Sequence, residues 1–492
     1  MPLGAELEHC LREWAAAGPA EVREHGARLA TLEALSWELR GDPASPLLHL
    51  WSAHCNLTRR VLAIAENSPS RLVLSVQRFG RAKPDRLEFL RLEFASSPRA
   101  LTREQFCECL GHLLAQQFPD EKLDSLTIAA DLEHSLSGKF ARGVLSRGSA
   151  HRAVLAVPDG EPAGAAEEAL TFALLWLERV RQTNRRGTVE GLRLIFPREA
   201  AGAAAHRLAA LDPRLAVELY AHDPGRETLE EVDPRRAANL RTWLVPAREA
   251  ESLLAQAKPA LEAIIAKAPA AITLHALPET RDVWLRFRGL AFARWEDGRV
   301  YFEADGAQHE LTAATRPRLE KWLHDLELYR HALASDTRHP LYRAQAERWL
   351  EAQVAADIAR VDPALDPRFV YTQVFAATAA DRGVLDLLGV TRTGRLAILE
   401  LKAGEHLHLP LQAADYWLRV RRHQLQGDFS RYGYFCGLAL QDAPPLVYLV
   451  APAIRFHPST DTLLRFLSPE IEVLRVGLAE TWRRGLRVVL RQ

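Results

Sequence analysis

The 492-residue sequence predicts an α/β protein whose chemistry lies near its C-terminal end. Three observations carry that expectation. Short Leu- and Val-rich runs with two-residue alternation are interleaved with segments whose apolar residues recur every three or four positions. A composition of 48% hydrophobic and 26% charged residues is that of an ordinary globular chain, long enough for several cores. Finally, VLDLLGVT and RLAILELK flank a turn and lead into a helical pattern.

Taken in order, the first forty residues read as helical, with Leu, Ala and Trp at helical spacing. The runs LLHLWSAH, RRVLAIAE, SRLVLSVQRF and DRLEFLRLEF, separated by NSPS and GRAKPD, predict an antiparallel meander over residues 47–94. A helix near 102–117, a strand near 153–157, a long helix in EEALTFALLWLERVRQ and a strand in GLRLIFP follow. With the helix AREAESLLAQAKPALEAIIAKA they make residues 1–270 an α/β or α+β region of unassigned role, closed by the Ala- and Pro-rich KAPAAITLHALP. Residues 271–310 are expected as a connecting β-hairpin segment, in which Glu296-Asp297-Gly298 turns DVWLRFRGLAFARW into RVYFEAD. Residues 311–492 form the last domain. It opens with a helix near 315–333 and a second, LYRAQAERWLEAQVAADIARV, favoured at its start by Pro340. No internal repeat is legible.

Charge is balanced, with 63 basic and 63 acidic residues, so any affinity for nucleic acid must come from a local patch. Five cysteines without CxxC spacing point to reduced thiols and a cytoplasmic setting, and no leader pattern or membrane span is expected. Only 7 of the basic residues are lysines, which makes each lysine worth attention.

Lys402 is one of them. Arg392-Thr393-Gly394 suits a hairpin loop closed by Thr391 and Arg395, with Gly394 in the left-handed conformation. Five residues back from one closing position lies Asp386, and five forward from the other lies Glu400. The two carboxylates then face each other across the ladder, and Lys402 shares their face by alternation, while Leu385, Leu387, Leu399 and Leu401 point into a core. Opposed acids on an apolar hairpin repel, and a divalent cation removes that penalty. An oxygen-only site suits Mg²⁺ or Mn²⁺, which polarises a phosphoryl oxygen and lowers the pKa of a water, with Lys402 stabilising developing charge. On the helix that follows, Gln412, Tyr416, Arg419 and His423 share one face by 4-3-4 spacing, a surface suited to a phosphate backbone, extended by Arg421 and Arg422.

The segment Gly383 to Asp386, the tripeptide Glu400-Leu401-Lys402 and the pair Gln412 and Tyr416 together resemble the motifs of the PD-(D/E)XK nuclease superfamily, in its RecB-like and archaeal NucS-type branches. The resemblance covers residues 340–435 and lacks the customary Pro of the first acidic motif. It implies a restriction-endonuclease-like domain with a mixed central sheet flanked by helices. The implied activity is metal-dependent hydrolysis of phosphodiester bonds, in DNA before RNA and endonucleolytic before exonucleolytic. Asp386, Glu400, Lys402 and Gln412 would be catalytic, and Glu347, Asp386 and Glu400 would hold the metal, with Glu351 in reserve for Glu347. Tyr416, Arg419 and His423 would bind substrate.

Blander readings stand beside these. Glu347 and Glu351 are ordinary solvated helix charges on a helix already explained by Trp349, Leu350, Val354 and Ile358. His406 and His408 lack a third metal ligand. Trp284, Phe287 and Trp295 are core residues, and Arg78, Arg81 and Lys83 lie in a solvated loop as readily as on nucleic acid. A second hypothesis is a module that binds nucleic acid or a partner without cutting. A third gives the N-terminal region a separate assembly role with the nuclease as effector.

Overall fold

The computed structural model describes residues 3–16, 20–24, 27–32, 35–40, 46–51, 56–68, 71–77, 85–91, 102–159, 161, 163–184, 187–223, 228–237, 242–278, 280–304, 307–377 and 384–492. They form two compact units, Met1–Ala100 and Leu101–Gln492. Gly383, Cys55, Arg78, Arg81 and Lys83 lie outside the described residues.

In the first unit, the helix Leu3–Ala16 lays Leu7, Leu11 and Trp14 against one face of a seven-stranded antiparallel sheet. Leu72, Leu74 and Val76 come from one strand of that face and Leu87 and Phe89 from its neighbour, by two-residue alternation. The meander over 47–94 takes the expected order, from Leu47–Trp51 through Asn56–Asn67 and Arg71–Gln77 to Asp85–Arg91. Helix does not persist to residue 40. Beyond Ala16 the chain pairs as the strands Ala20–Glu24, Ala27–Thr31 and Ser36–Arg40, because ladder partners outweigh the helix propensity of Ala, Leu and Glu.

The second unit holds three sheets. A six-stranded mixed sheet runs from Lys122–Thr127 to Thr228–Glu231, a five-stranded antiparallel meander covers Ile272–Glu310, and a seven-stranded mixed sheet carries Tyr371–Ala377 through Val488–Arg491. Trp243–Leu244 joins the edge of that last sheet. The boundaries drawn at 270 and 310 therefore fall between sheets of one compact unit. In the meander, Asp297 and Gly298 both take positive φ, 45° and 85°, as a tight hairpin requires. DVWLRFRGLAFARW is two strands, Asp282–Phe287 and Leu290–Glu296, turned at Arg288 and Gly289.

One expected helix is broken. LYRAQAERWLEAQVAADIARV divides into Pro340–Arg343, Ala346–Ala356 and a short 3₁₀ turn, with Gln345 left-handed at φ 43°. Arg330 supplies the reason. Its fully buried guanidinium donates to the carbonyls of Leu341 at 2.8 Å and Ala344 at 2.6 Å, and on its other side to Phe287 and Arg288. A continuous helix would have needed those carbonyls. A side chain at Gly289 would meet the Arg348 carbonyl oxygen at 2.0 Å, so the meander's turn rests on the backbone of the helix Ala346–Ala356.

The last sheet is apolar on both faces, the condition for helices on each side. Leu387, Leu399, Leu401, Tyr448 and Val450 pack on Trp349, Leu350 and Val354. Leu388, Val390, Leu396, Ile398 and Leu449 face the helix Leu409–Leu425. Leu385 departs from expectation by joining this second core. The ladder lacks a bridge between Gln373 and Asp386, and Gln373 is left-handed at φ 54°, so alternation is interrupted there. No helix among the described residues is long and apolar enough to cross a membrane.

Candidate active site

Leu387 pairs with Leu399 and Val390 with Leu396, the register expected of a loop closed by Thr391 and Arg395, whose N–H···O bond measures 2.8 Å. Gly394 has φ 92°, and a Cβ there would meet the Ala439 oxygen at 2.1 Å. The ladder ends at Leu387 and Leu399, one residue short of Asp386 and Glu400. In place of a ladder bond, the Asp386 carboxylate accepts the Leu401 N–H at 3.0 Å.

Glu400 is 1% exposed and Lys402 7%. Nζ of Lys402 donates to Oε1 of Glu400 at 3.2 Å and stands 3.8 Å from Glu347, whose side chain is half exposed. Oε2 of Glu400 is buried and has no partner. Burial, reinforced by Asp386 and opposed by Lys402, holds the Glu400 carboxyl well above its ordinary range. Asp386 is raised too, mainly by burial, against the pull of Lys402, the Leu401 N–H and Arg348. For Lys402 burial alone would lower the ammonium, but Glu400, Glu347 and Asp386 outweigh it and raise it.

Sequence reasoning placed Glu347 ahead of Glu351. In the structure Glu351 is the buried one, 4% exposed. Arg348 bridges Glu351 at 2.5 Å and Asp386 at 3.5 Å, while Gln373 donates to Glu351 at 3.0 Å. Burial, with Asp386 adding to it and Arg348 and Arg286 opposing, brings Glu351 to about 7. Arg286, from the five-stranded meander, completes the chain by donating to Gln373 at 2.8 Å. Arg348 was legible as an i,i+3 partner of Glu351. Arg286 and Gln373 carry no motif, and only the folded chain brings them in.

The helix Leu409–Leu425 contributes Tyr416, whose hydroxyl accepts from Gln412 at 3.3 Å. Burial, then Glu400, pushes Tyr416 well above its ordinary value, so it stays a neutral donor beside the acids. Arg419 and His423 continue the same face but are 1% and 3% exposed. Arg419 pairs with Asp415 at 2.6 Å, and His423 lies between Asp428 and Thr242, each at 2.8 Å. Their face packs inward. Arg421 donates to the Asp442 carbonyl. His406 and His408 stand 5.7 Å apart as partly buried rings.

Among the described residues, no group of three His, Cys, Asp or Glu side chains is arranged to hold a metal ion. Lys402 and Arg348 stand among the acids instead. Oε2 of Glu400 is a buried, unpartnered carboxylate oxygen, and oxygen is the donor type that hard divalent cations take. Compared with known proteins, the chain matches no family model and no curated protein.

Proposed function

We propose that the chain is a metal-dependent nuclease, acting on DNA, with its site at Asp386, Glu400 and Lys402. The observation that supports this most is the unpartnered, buried Oε2 of Glu400 beside a second raised carboxylate and a buried lysine. Such a grouping destabilises a fold unless a ligand compensates it. Asp386 and Glu400 would hold Mg²⁺ or Mn²⁺, with Glu347 at the open side. When bound, the cation supplies Lewis-acid polarisation of the phosphate and eases deprotonation of a water.

The remaining work belongs to the side chains. Water oxygen bonds to phosphorus, one ester P–O bond breaks, and the leaving oxygen takes up a proton. Lys402, fixed by Glu400, presents its ammonium to charge growing on the phosphoryl oxygens. Tyr416 and Gln412 donate hydrogen bonds towards substrate from the crossover helix. Arg419 and His423 brace that helix rather than contact substrate, since their polar groups are already engaged inside the protein.

The test is incubation of DNA and RNA substrates with Mg²⁺ or Mn²⁺, wild type beside Asp386→Ala. Cleavage by wild type alone is expected. Equal cleavage by both, or none by wild type, overturns the reading. Saturable cation binding to a wild type that binds but never cuts DNA would support the silent binding module instead.

A further inference from the structure

The catalytic sheet has a twin in the same chain. From Arg103 to Glu231 the elements run helix, three antiparallel strands, helix, strand, helix, strand and a final strand. From Ala346 to Arg491, apart from short 3₁₀ turns and the four-residue helix Asp428–Arg431, they run in the same order. The six strands of the first set lie in sequential order across their sheet, as do the six of the second. Pairing matches step for step, with two antiparallel contacts, two parallel ones and a last antiparallel one.

The two sets meet through equivalent segments. Leu211 and Leu467 each lie six residues before the strand that follows, Val217–Asp223 or Val473–Leu478, and they bridge each other. The Asp212 N–H donates to the Phe466 oxygen at 2.9 Å, and the Ser468 N–H donates to the Ala210 oxygen at 2.8 Å. These bonds exchange under the equivalence of Asp212 with Ser468 and Ala210 with Phe466. Reciprocal contacts of this kind define an isologous interface. Asp212 then accepts from the Arg214 N–H and Ser468 from that of Glu470, the same turn in both copies. The helices Ala163–Thr183 and Arg198–Leu208 share one apolar core with their counterparts Leu409–Leu425 and Thr460–Leu464. His206 reaches Asp415 at 3.3 Å, and Arg465 reaches Glu178 at 3.3 Å.

Register carries the equivalence into the site. Val217 pairs with Leu192 and Val473 with Val447, which aligns Leu194 with Leu449. Leu194 pairs with Leu155, and Leu449 with Glu400. Leu155 pairs with Arg142, and counting one residue beyond the Leu387–Leu399 pair matches Glu400 with Asp386. One residue past each strand, the Val157 N–H donates to the Ile195 oxygen at 2.9 Å, and the Lys402 N–H to the Val450 oxygen at 3.0 Å. Where the second copy has Asp386, Glu400 and Lys402, the first has Arg142, Leu155 and Val157. Arg142 is buried, donates to the Ser137 and Ala129 carbonyls, and lies over Trp176. None of these three positions in that copy carries a carboxylate.

We infer that the second unit is a single-chain counterpart of a two-fold dimer, with one hydrolytic site and one silent half, and that it therefore cuts one strand of duplex DNA per encounter. The pairing stands on the topology, and the one-strand outcome rests on the nuclease reading. The face a lone copy would leave apolar is covered by its twin, so the full chain is expected to sediment as a single 55.0 kDa particle. With supercoiled circular DNA and Mg²⁺ or Mn²⁺, nicked circles should accumulate before linear molecules. Mixing wild type with Asp386→Asn should lower the rate in proportion to the wild-type fraction, to half at equal amounts. Linear product formed directly, or a rate falling to a quarter at equal amounts, overturns the inference, as does a stable dimer of the chain. Absence of any cleavage by a monomeric particle would overturn the nuclease reading and the strand count while supporting the internal pairing.

Discussion

The two copies in the second unit share a topology and a register but not a chemistry. At equivalent positions one holds Asp386, Glu400 and Lys402, the other Arg142, Leu155 and Val157. Buried Glu400 and Lys402 keep the first hairpin costly to fold, with a carboxylate oxygen left unpartnered. Leu155 is fully buried in the apolar core, and the Arg142 guanidinium is capped by two carbonyls. The same fold thus carries a buried acid and lysine at one place and an apolar pair beside a carbonyl-bound arginine at the other, and each place keeps one buried polar atom without a partner, Oε2 of Glu400 and Nε of Arg142.

The sharpest break of this comparison is Asp386→Ala, which should reduce cleavage to background while far-ultraviolet circular dichroism stays unchanged. Lys402→Met should follow, with turnover down on the order of 10²–10³-fold, the range for losing a group that stabilises transition-state charge. Restoration of that loss by Lys402→Arg would argue that any positive charge suffices. In the silent copy, Arg142→Leu should leave cleavage per folded molecule intact and lower stability by ~1–3 kcal/mol in urea unfolding, since two carbonyls lose their donor. An unchanged urea midpoint would mean that Arg142 does not brace that half.

A smaller effect concerns pH. Glu351 sits at about 7 in the fold against an ordinary 4.5, chiefly through burial. Between those values the folded chain holds the extra proton, so cation-free stability should fall as pH rises from about 4.5 through about 7, and level off above. Glu351→Gln should flatten that slope, worth ~1–3 kcal/mol across the window. Parallel slopes for variant and wild type would assign the dependence elsewhere.

The hairpin was legible in the sequence because its determinants are local: a glycine able to take positive φ, closing residues at fixed spacing, and alternation counted outward from them. The mixed α/β character was legible for the same reason. Arg419 and His423 were read as an open basic face because helical spacing reports which residues share a side but not what covers it; Asp415, Asp428 and Thr242 do. The break at Gln345 depends on Arg330 reaching across from another helix, and the strands after Ala16 depend on distant partners. The repeat was invisible because register and connectivity are conserved between the copies while side chains such as Arg142 and Asp386 are not. That Glu351 is buried while Glu347 is half exposed shows only in the folded chain.

The bridge between Leu211 and Leu467 has a genetic consequence. In a dimer of identical chains every substitution appears twice, once on each side of the axis, so neither side can change alone. Here the two sides are encoded separately. A mutation that ruins an acid in one half leaves the other untouched, and each half is free to accumulate changes its counterpart does not share.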